Sequence, residues 1–177
     1  FGFPQLDSFV DMSKGSMSVG GYFTEMLDPT MNWDDVASLV EFWDGQFCLK
    51  GVMSVEDAKR AVEIGCTGIV VSNHGGRQLD GGRSSFDQLE EIVGAVGDQI
   101  DVILDSGIQR GSHVLKALSL GAKAVGGGRF YLYALAAAGG QGVERALQIM
   151  HEEIERDMRL MGVSSIQELS RDNLRFR

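Results

Sequence analysis

From Phe47 to Arg129 the chain repeats one unit four times: a short apolar, β-branched run, a polar or glycine-rich break, and a helix-periodic segment. The first strand is Phe47 to Leu49, ending in Lys50, followed by a helix with Ser54 as its cap, Glu56 and Asp57 in its first turn and Gly65 at its close. Gly68 to Val71 is the second strand and runs into a loop from Ser72 to Asp80, before a helix over Phe86 to Val96 that closes near Gly97. The third strand, Asp101 to Leu104, ends in Asp105-Ser106-Gly107 and leads to a helix from Gly111 to Leu120. The fourth, Ala122 to Gly126, ends in Gly127-Gly128-Arg129. A short helix over Phe130 to Ala138, a long amphipathic one over Val143 to Met161, and a last small one over Ile166 to Leu169 with Ser164 or Ser165 as cap complete the pattern. Strand–helix alternation of this kind requires a parallel sheet with helical crossovers.

Two α/β architectures satisfy it, an open doubly wound sheet and part of a (β/α)8 TIM barrel. Both place ligands at the C-terminal ends of the strands, where every polar cluster of this chain falls. The clusters Asp105-Ser106-Gly107 and Gly127-Gly128-Arg129 follow consecutive, final strands. A phosphate site built from the loops after the last two strands is a barrel habit, and it decides for the barrel. Four units make half of one, with two unpaired sheet edges and an open core. The domain is expected over residues 33–177. Trp33, Val36, Leu39, Val40 and Trp43 recur there at helical spacing behind Asp34 and Asp35. Residues 1–32, which hold both prolines and no clear period, read as a lead-in loop.

The totals exclude some functions. A net charge of −9 with no basic stretch argues against a nucleic-acid partner. The apolar runs are too short to span a bilayer, and no secretory leader is expected. Cys48 and Cys66 have no metal-ligand spacing and are expected as reduced core thiols of a cytoplasmic protein.

The chemistry concentrates at Ser72-Asn73-His74-Gly75-Gly76-Arg77-Gln78-Leu79-Asp80. A neutral imidazole takes a proton near pH 7, and an arginine three residues on can grip a carboxylate with two parallel hydrogen bonds. A histidine or arginine alone in a loop is commonly a solvated side chain. What distinguishes this one is the series of matching strand ends around it.

That block, with Lys50-Gly51 before it and Asp105-Ser106-Gly107 and Gly128-Arg129 after it, closely resembles the FMN-dependent L-2-hydroxyacid dehydrogenase and oxidase family. The wording around Trp33-Asp34, Phe42-Trp43-Asp44-Gly45 and Ser164-Ser165-Ile166 looks most like its bacterial L-lactate dehydrogenase branch. The resemblance runs from about Asp28 onward and implies the C-terminal half of a barrel, strands five to eight. It further implies FMN as cofactor and a small 2-hydroxy acid as substrate. His74 would be the general base and Arg77 the carboxylate clamp. Lys50 would face the flavin N1–C2=O edge, and Ser72, Asp105 and Ser106 would hydrogen-bond the cofactor. Gly107, Gln109, Gly128 and Arg129 would hold its phosphate. The chain departs from the family pattern at Gln109, where arginine is usual and Arg110 follows instead. It departs also near Val125 and Gly126, and at Phe130, where proline often stands. His113 and His151 fall inside helical patterns and read as surface or packing residues.

The expected activity is oxidation of an L-lactate-like acid with the missing N-terminal half as partner. The alternatives are a non-catalytic flavin- or phosphate-binding half-barrel that self-associates, and a different phosphate-binding barrel, against which Lys50 and the His-Gly-Gly-Arg block argue. Peripheral contact with the inner membrane is compatible with the family.

Overall fold

The computed structural model describes residues 27–175, so most of the expected lead-in loop lies outside the described residues. Contacts divide the chain into two units, Phe1–Val36 and Ala37–Arg177. In the described part of the first, the Asp28 carboxylate accepts hydrogen bonds from Thr30 N–H (2.8 Å) and Oγ1 (2.6 Å), which hold it below the usual carboxylate range. Asn32 Oδ1 accepts from Asp34 N–H (2.8 Å), and Asp35 Oδ2 accepts from Asn32 N–H (2.8 Å). This reciprocal pair starts helix α1, Trp33–Trp43.

In the second unit the elements follow as β1 (Cys48–Val52), α2 (Val55–Glu63), β2 (Gly68–Val71), α3 (Ser85–Val96), β3 (Asp101–Asp105), α4 (Gly111–Ser119), β4 (Ala124–Gly126) and α5 (Gly128–Met161). The four strands form one parallel sheet in sequence order. Ser54 and Ser84 cap α2 and α3, each accepting from the backbone N–H three residues on. The two helices expected after β4 form one continuous run, but it breaks at Ala138 (φ −151°) and Gly139 (φ 60°, ψ −147°), where the sequence places their junction. Only glycine adopts the latter conformation without strain.

Three strands differ from expectation, β3 by running one residue further, to Asp105. β1 continues through Lys50 to Val52, with a bulge at Gly51 (φ 99°). β4 begins at Ala124 rather than Ala122, because Ala122 N–H is still bound to Ala117 O at the end of α4.

The period-2 alternation of each strand separates two faces. Ile69, Val71, Val102 and Leu104 are buried, and they pack with Ala58, Ala61, Leu89, Ile92, Val96 and Ala117 of the helices. The opposite face carries the row Lys50, Val70, Ile103 and Ala124 in mutual register, with Asp105 one step further. Lys50 is exposed there and Val70, Ile103 and Asp105 are half-buried. This is the face that a closed barrel turns inward. Cys66 is buried as expected, but Cys48 is exposed, which corrects the reading of both thiols as core residues; burial pushes the Cys66 thiol up, and partial desolvation with the Asp101 carboxylate nearby pushes the Cys48 thiol up.

Helices α4 and α5 are joined by a buried carboxylate. Glu153 accepts from Arg110 Nε (2.7 Å) and from Gly111 N–H (2.7 Å), one of the free donors at the start of α4. These bonds hold Glu153 below the usual carboxylate range. The helices approach so closely that a Cβ on Gly111 would lie 2.6 Å from both Glu153 Cβ and Ile154 N.

Candidate active site

The C-terminal ends of β1, β2 and β3 meet in one hydrogen-bonded cluster. The bulge at Gly51 sits beside Lys50, whose Nζ pairs with Asp105 Oδ2 and donates to Ser72 Oγ (3.2 Å). Bulges commonly re-aim a side chain beside an active site. Ser72 is buried, and its hydroxyl is fully used: it donates to Asp105 Oδ2 (2.8 Å) and accepts from Lys50 and from His74 N–H (3.1 Å). Partial burial works to raise the Asp105 carboxyl. Hydrogen bonds from Lys50, Ser72 and Ser106 N–H, with the lysine charge, outweigh it and hold the group below its ordinary range.

The loop after β2 then turns left-handed. His74, Gly75 and Gly76 have φ of 58°, 70° and 71°. Two glycines adopt this freely, whereas a non-glycine residue there is strained, and such strain gathers at functional sites. Asn73 organises the turn: its N–H donates to Ser85 Oγ (2.9 Å), its Nδ2 to Arg83 O (3.1 Å), and its Oδ1 accepts from Gly76 N–H (3.1 Å). Gly75 N–H donates to Ser106 Oγ (2.9 Å), tying this loop to the loop after β3, where Ser106 itself has φ 83°. Arg129, from the start of α5, reaches across to donate through Nη2 to Gly75 O. A Cβ at Gly75 would lie 2.7 Å from that nitrogen.

A cavity of about 190 Å³ collects Lys50, His74, Arg77, Asp105, Ser106, Gly107, Gln109, Gly128 and Arg129. All the residues singled out in the sequence therefore come together, Ser72 as the hub beneath. His74 and Arg77 are exposed to solvent at this mouth. Sequence reasoning missed three contributors. Asn73 and Ser85 shape the His74 loop; an asparagine directly before His-Gly-Gly is the signal for such a side-chain turn. His113, read as a surface or packing residue, lies with Nδ1 3.1 Å from Gly107 O and 3.3 Å from Gln109 N, so it braces the loop after β3. His151 behaves as expected, 3.6 Å from Glu155 on the exposed face of α5.

The donor set suits a phosphorylated, polyhydroxylated cofactor. Nothing lies within 4 Å of the Cβ positions of Gly107 and Gly128, so the backbone of both glycine loops is open to close approach. Arg129 borders the same space with a positive charge, and Asp105 and Ser106 offer acceptors for hydroxyl groups.

The sheet and its cluster define a parallel α/β protein with a ligand site at the C-terminal ends of its strands, and comparison with known proteins gives the family. Residues 4–176 match the FMN-dependent dehydrogenase family, and the chain belongs to that family. It is 50% identical over 145 residues to a pre-mycofactocin synthase of Mycobacterium tuberculosis, covering 82% of this chain and 37% of that protein. It is 47% identical over 154 residues to an L-lactate dehydrogenase of Acinetobacter baumannii, covering 87% and 40%. Among solved structures, mandelate oxidase with benzoyl-formic acid superposes with a TM-score of 0.76 at 47% identity, over 80% of this chain and 42% of that one. A flavocytochrome b2 variant with sulfite bound gives 0.78 at 45%, over 82% and 39%. The chain thus spans about two fifths of the length of these relatives. Its four parallel strands and their helices match part of a TIM-barrel flavoenzyme.

Proposed function

We propose that this chain supplies the phosphate-binding and proton-abstracting half of an enzyme that oxidises an L-lactate-like 2-hydroxy acid to the 2-oxo acid, active once the N-terminal half of the barrel is joined to it. One observation carries the reading: Lys50, Ser72, His74, Asp105 and Ser106, drawn from three strand ends, share a single hydrogen-bond network with Arg77 and Arg129 at the same mouth.

When bound, FMN supplies the hydride acceptor, N5. Backbone N–H groups after Gly107 and Gly128, with Arg129, would hold its phosphate, while Asp105 and Ser106 would accept from its hydroxyls. Lys50 would supply a fixed cation to offset the negative charge that the flavin gains on reduction. Ser72 positions Lys50, Asp105 and His74 relative to one another. Arg77 fixes the substrate carboxylate through its planar fork. His74 Nε2 or Nδ1 takes the hydroxyl proton as hydride leaves the same carbon, so the proton ends on the imidazole and the carbon becomes a ketone. The strained φ of His74 fits a side chain held for chemistry rather than for packing.

The test has two stages. The chain is titrated with FMN and followed by absorbance; the reading expects saturable binding. It is then joined to the missing strands, and flavin bleaching by L-lactate is followed anaerobically. His74→Asn should slow bleaching by about two orders of magnitude or more while substrate affinity is largely kept. Bleaching at the parent rate would mean that another group is the base. Binding without bleaching in the joined parent would favour a non-catalytic flavin-binding module.

A further inference from the structure

The loop after β3 leans on a single imidazole nitrogen. His113, half-buried in the first turn of α4, holds Nδ1 3.1 Å from Gly107 O and 3.3 Å from Gln109 N. Among the described residues neither backbone group has another hydrogen-bond partner. Their demands are opposite, because a carbonyl needs a donor and an N–H needs an acceptor. One ring nitrogen meets one of them at a time. With the ring neutral and its proton on Nε2, Nδ1 accepts from Gln109 N–H. With both nitrogens protonated, Nδ1 donates to Gly107 O, and Gln109 N–H is released. Gln109 also lines the cofactor cavity, and its N–H is one of the backbone donors that follow Gly107.

The charged groups around the ring come from three elements. Lys116, one turn further along α4, and Arg129, at the start of α5, line the hollow beside His113, and the rest of its lining is uncharged. Arg110, just before α4, is paired with Glu153 of α5 (2.7 Å), and Asp105, at the end of β3, is paired with Lys50. Both of these carboxylates are committed to other cations, so a proton on His113 gains most when an anion arrives. We infer that His113 is a proton-dependent latch on the loop after β3. Neutral, it holds Gln109 N–H; protonated, it yields that N–H to a phosphate dianion and adds a positive charge to the same loop. The inference rests on the cofactor site proposed above. His113 is a positioning residue, since it acts on the phosphate through Gln109 N–H.

The experiment uses the whole chain and has two arms. Without FMN, amide NMR follows Gln109 while the His113 ring protons report its titration; the Gln109 amide should shift in step with the ring. This arm needs no variant. In the second arm FMN binding is read by flavin fluorescence at about pH 6.5 and about pH 8.5, a range in which imidazole changes charge and a phosphomonoester is chiefly the dianion. The parent should bind FMN about tenfold more tightly at the lower pH, the worth of one charge-assisted contact. Riboflavin, which lacks the phosphate, should bind alike at both, so any effect of His74 is read separately. His113→Gln should bind FMN at both pH values as the parent does at the higher one. His113→Lys, charged throughout, should bind as the parent does at the lower one. A Gln109 amide indifferent to the His113 titration, or the parent's pH dependence persisting in His113→Gln, would overturn the latch. A parent that binds no FMN at either pH would overturn the cofactor site instead, and the amide titration would then decide the latch alone.

Discussion

At the residue scale, the site depends on how few atoms carry its connections. The Ser72 hydroxyl meets Lys50, Asp105 and the His74 N–H, with Ser106 Oγ also 3.4 Å away, so its one donor and two acceptor positions are all engaged. Ser72→Ala should therefore leave Asp105 and the His74 N–H short of a partner each, at about 1–3 kcal/mol of stability, read by thermal unfolding. Arg129 is bound to Gly75 O here, so holding a phosphate requires it to exchange that carbonyl for the anion. Arg129→Ala should weaken FMN about ten- to a hundredfold, the worth of one charge-assisted contact. Gln109→Arg should strengthen it by adding a cation at the same cavity. Titrations unchanged in both variants would remove the phosphate site from this place. That His74, Arg77, Lys50 and Asp105 would meet at one strand-end cavity was legible in the sequence, because each stands at a strand end in a block that resembles the family. Asn73, Ser85 and His113 were not, because a residue that shapes a loop is recognised only by its partners. Those partners here lie up to a dozen residues away, as for Asn73 and Ser85.

At the scale of elements, the strand–helix order and the break at Ala138 and Gly139 followed from hydrophobic period and glycine placement. The bulge in β1 did not, since Lys50-Gly51-Val52 reads equally well as the end of a strand. Nor did the α4–α5 joint, because Arg110 and Glu153 are separated by 43 residues. That joint makes two predictions. Gly111→Ala must push the helices apart or bend them, since its Cβ meets backbone and Cβ atoms at 2.6 Å, and about 1–3 kcal/mol of stability should be lost. Glu153 is held below its ordinary 4.5 in the folded chain. Folding therefore favours its charged form, and its contribution is complete above that value and lost as pH falls through the lower folded value. Unfolding temperature should drop less on acidification in Glu153→Gln than in the parent. Parallel curves from about pH 6 down to about pH 3 would show that the Arg110 pair does not matter to stability.

At the scale of the molecule, among the described residues α2, α3 and α4 close one face of the sheet and no helix closes the other. The uncovered face carries half-buried Val70 and Ile103, and exposed apolar side chains stand on α1 and α5: Phe42 is 86% and Tyr133 66% exposed, with Leu39, Trp43, Tyr131, Leu132 and Leu135 beside them. Among the described residues β1 and β4 each pair with one neighbour, so each offers a row of backbone donors and acceptors to a further strand. An apolar face between two open parallel edges is stable in water only when something covers it. The 177-residue chain by itself should therefore sediment as a dimer or larger species at micromolar concentration, with the uncovered faces in contact. Supplying the N-terminal four strands as a separate chain should convert it to a one-to-one complex in which both edges are continued. Phe42→Lys with Tyr133→Lys should leave the sheet intact and weaken self-association, since neither side chain is buried. A compact monomer in sedimentation velocity, unaffected by these changes or by the added half, would show that the open face is tolerated and that no partner is needed to hold the fold.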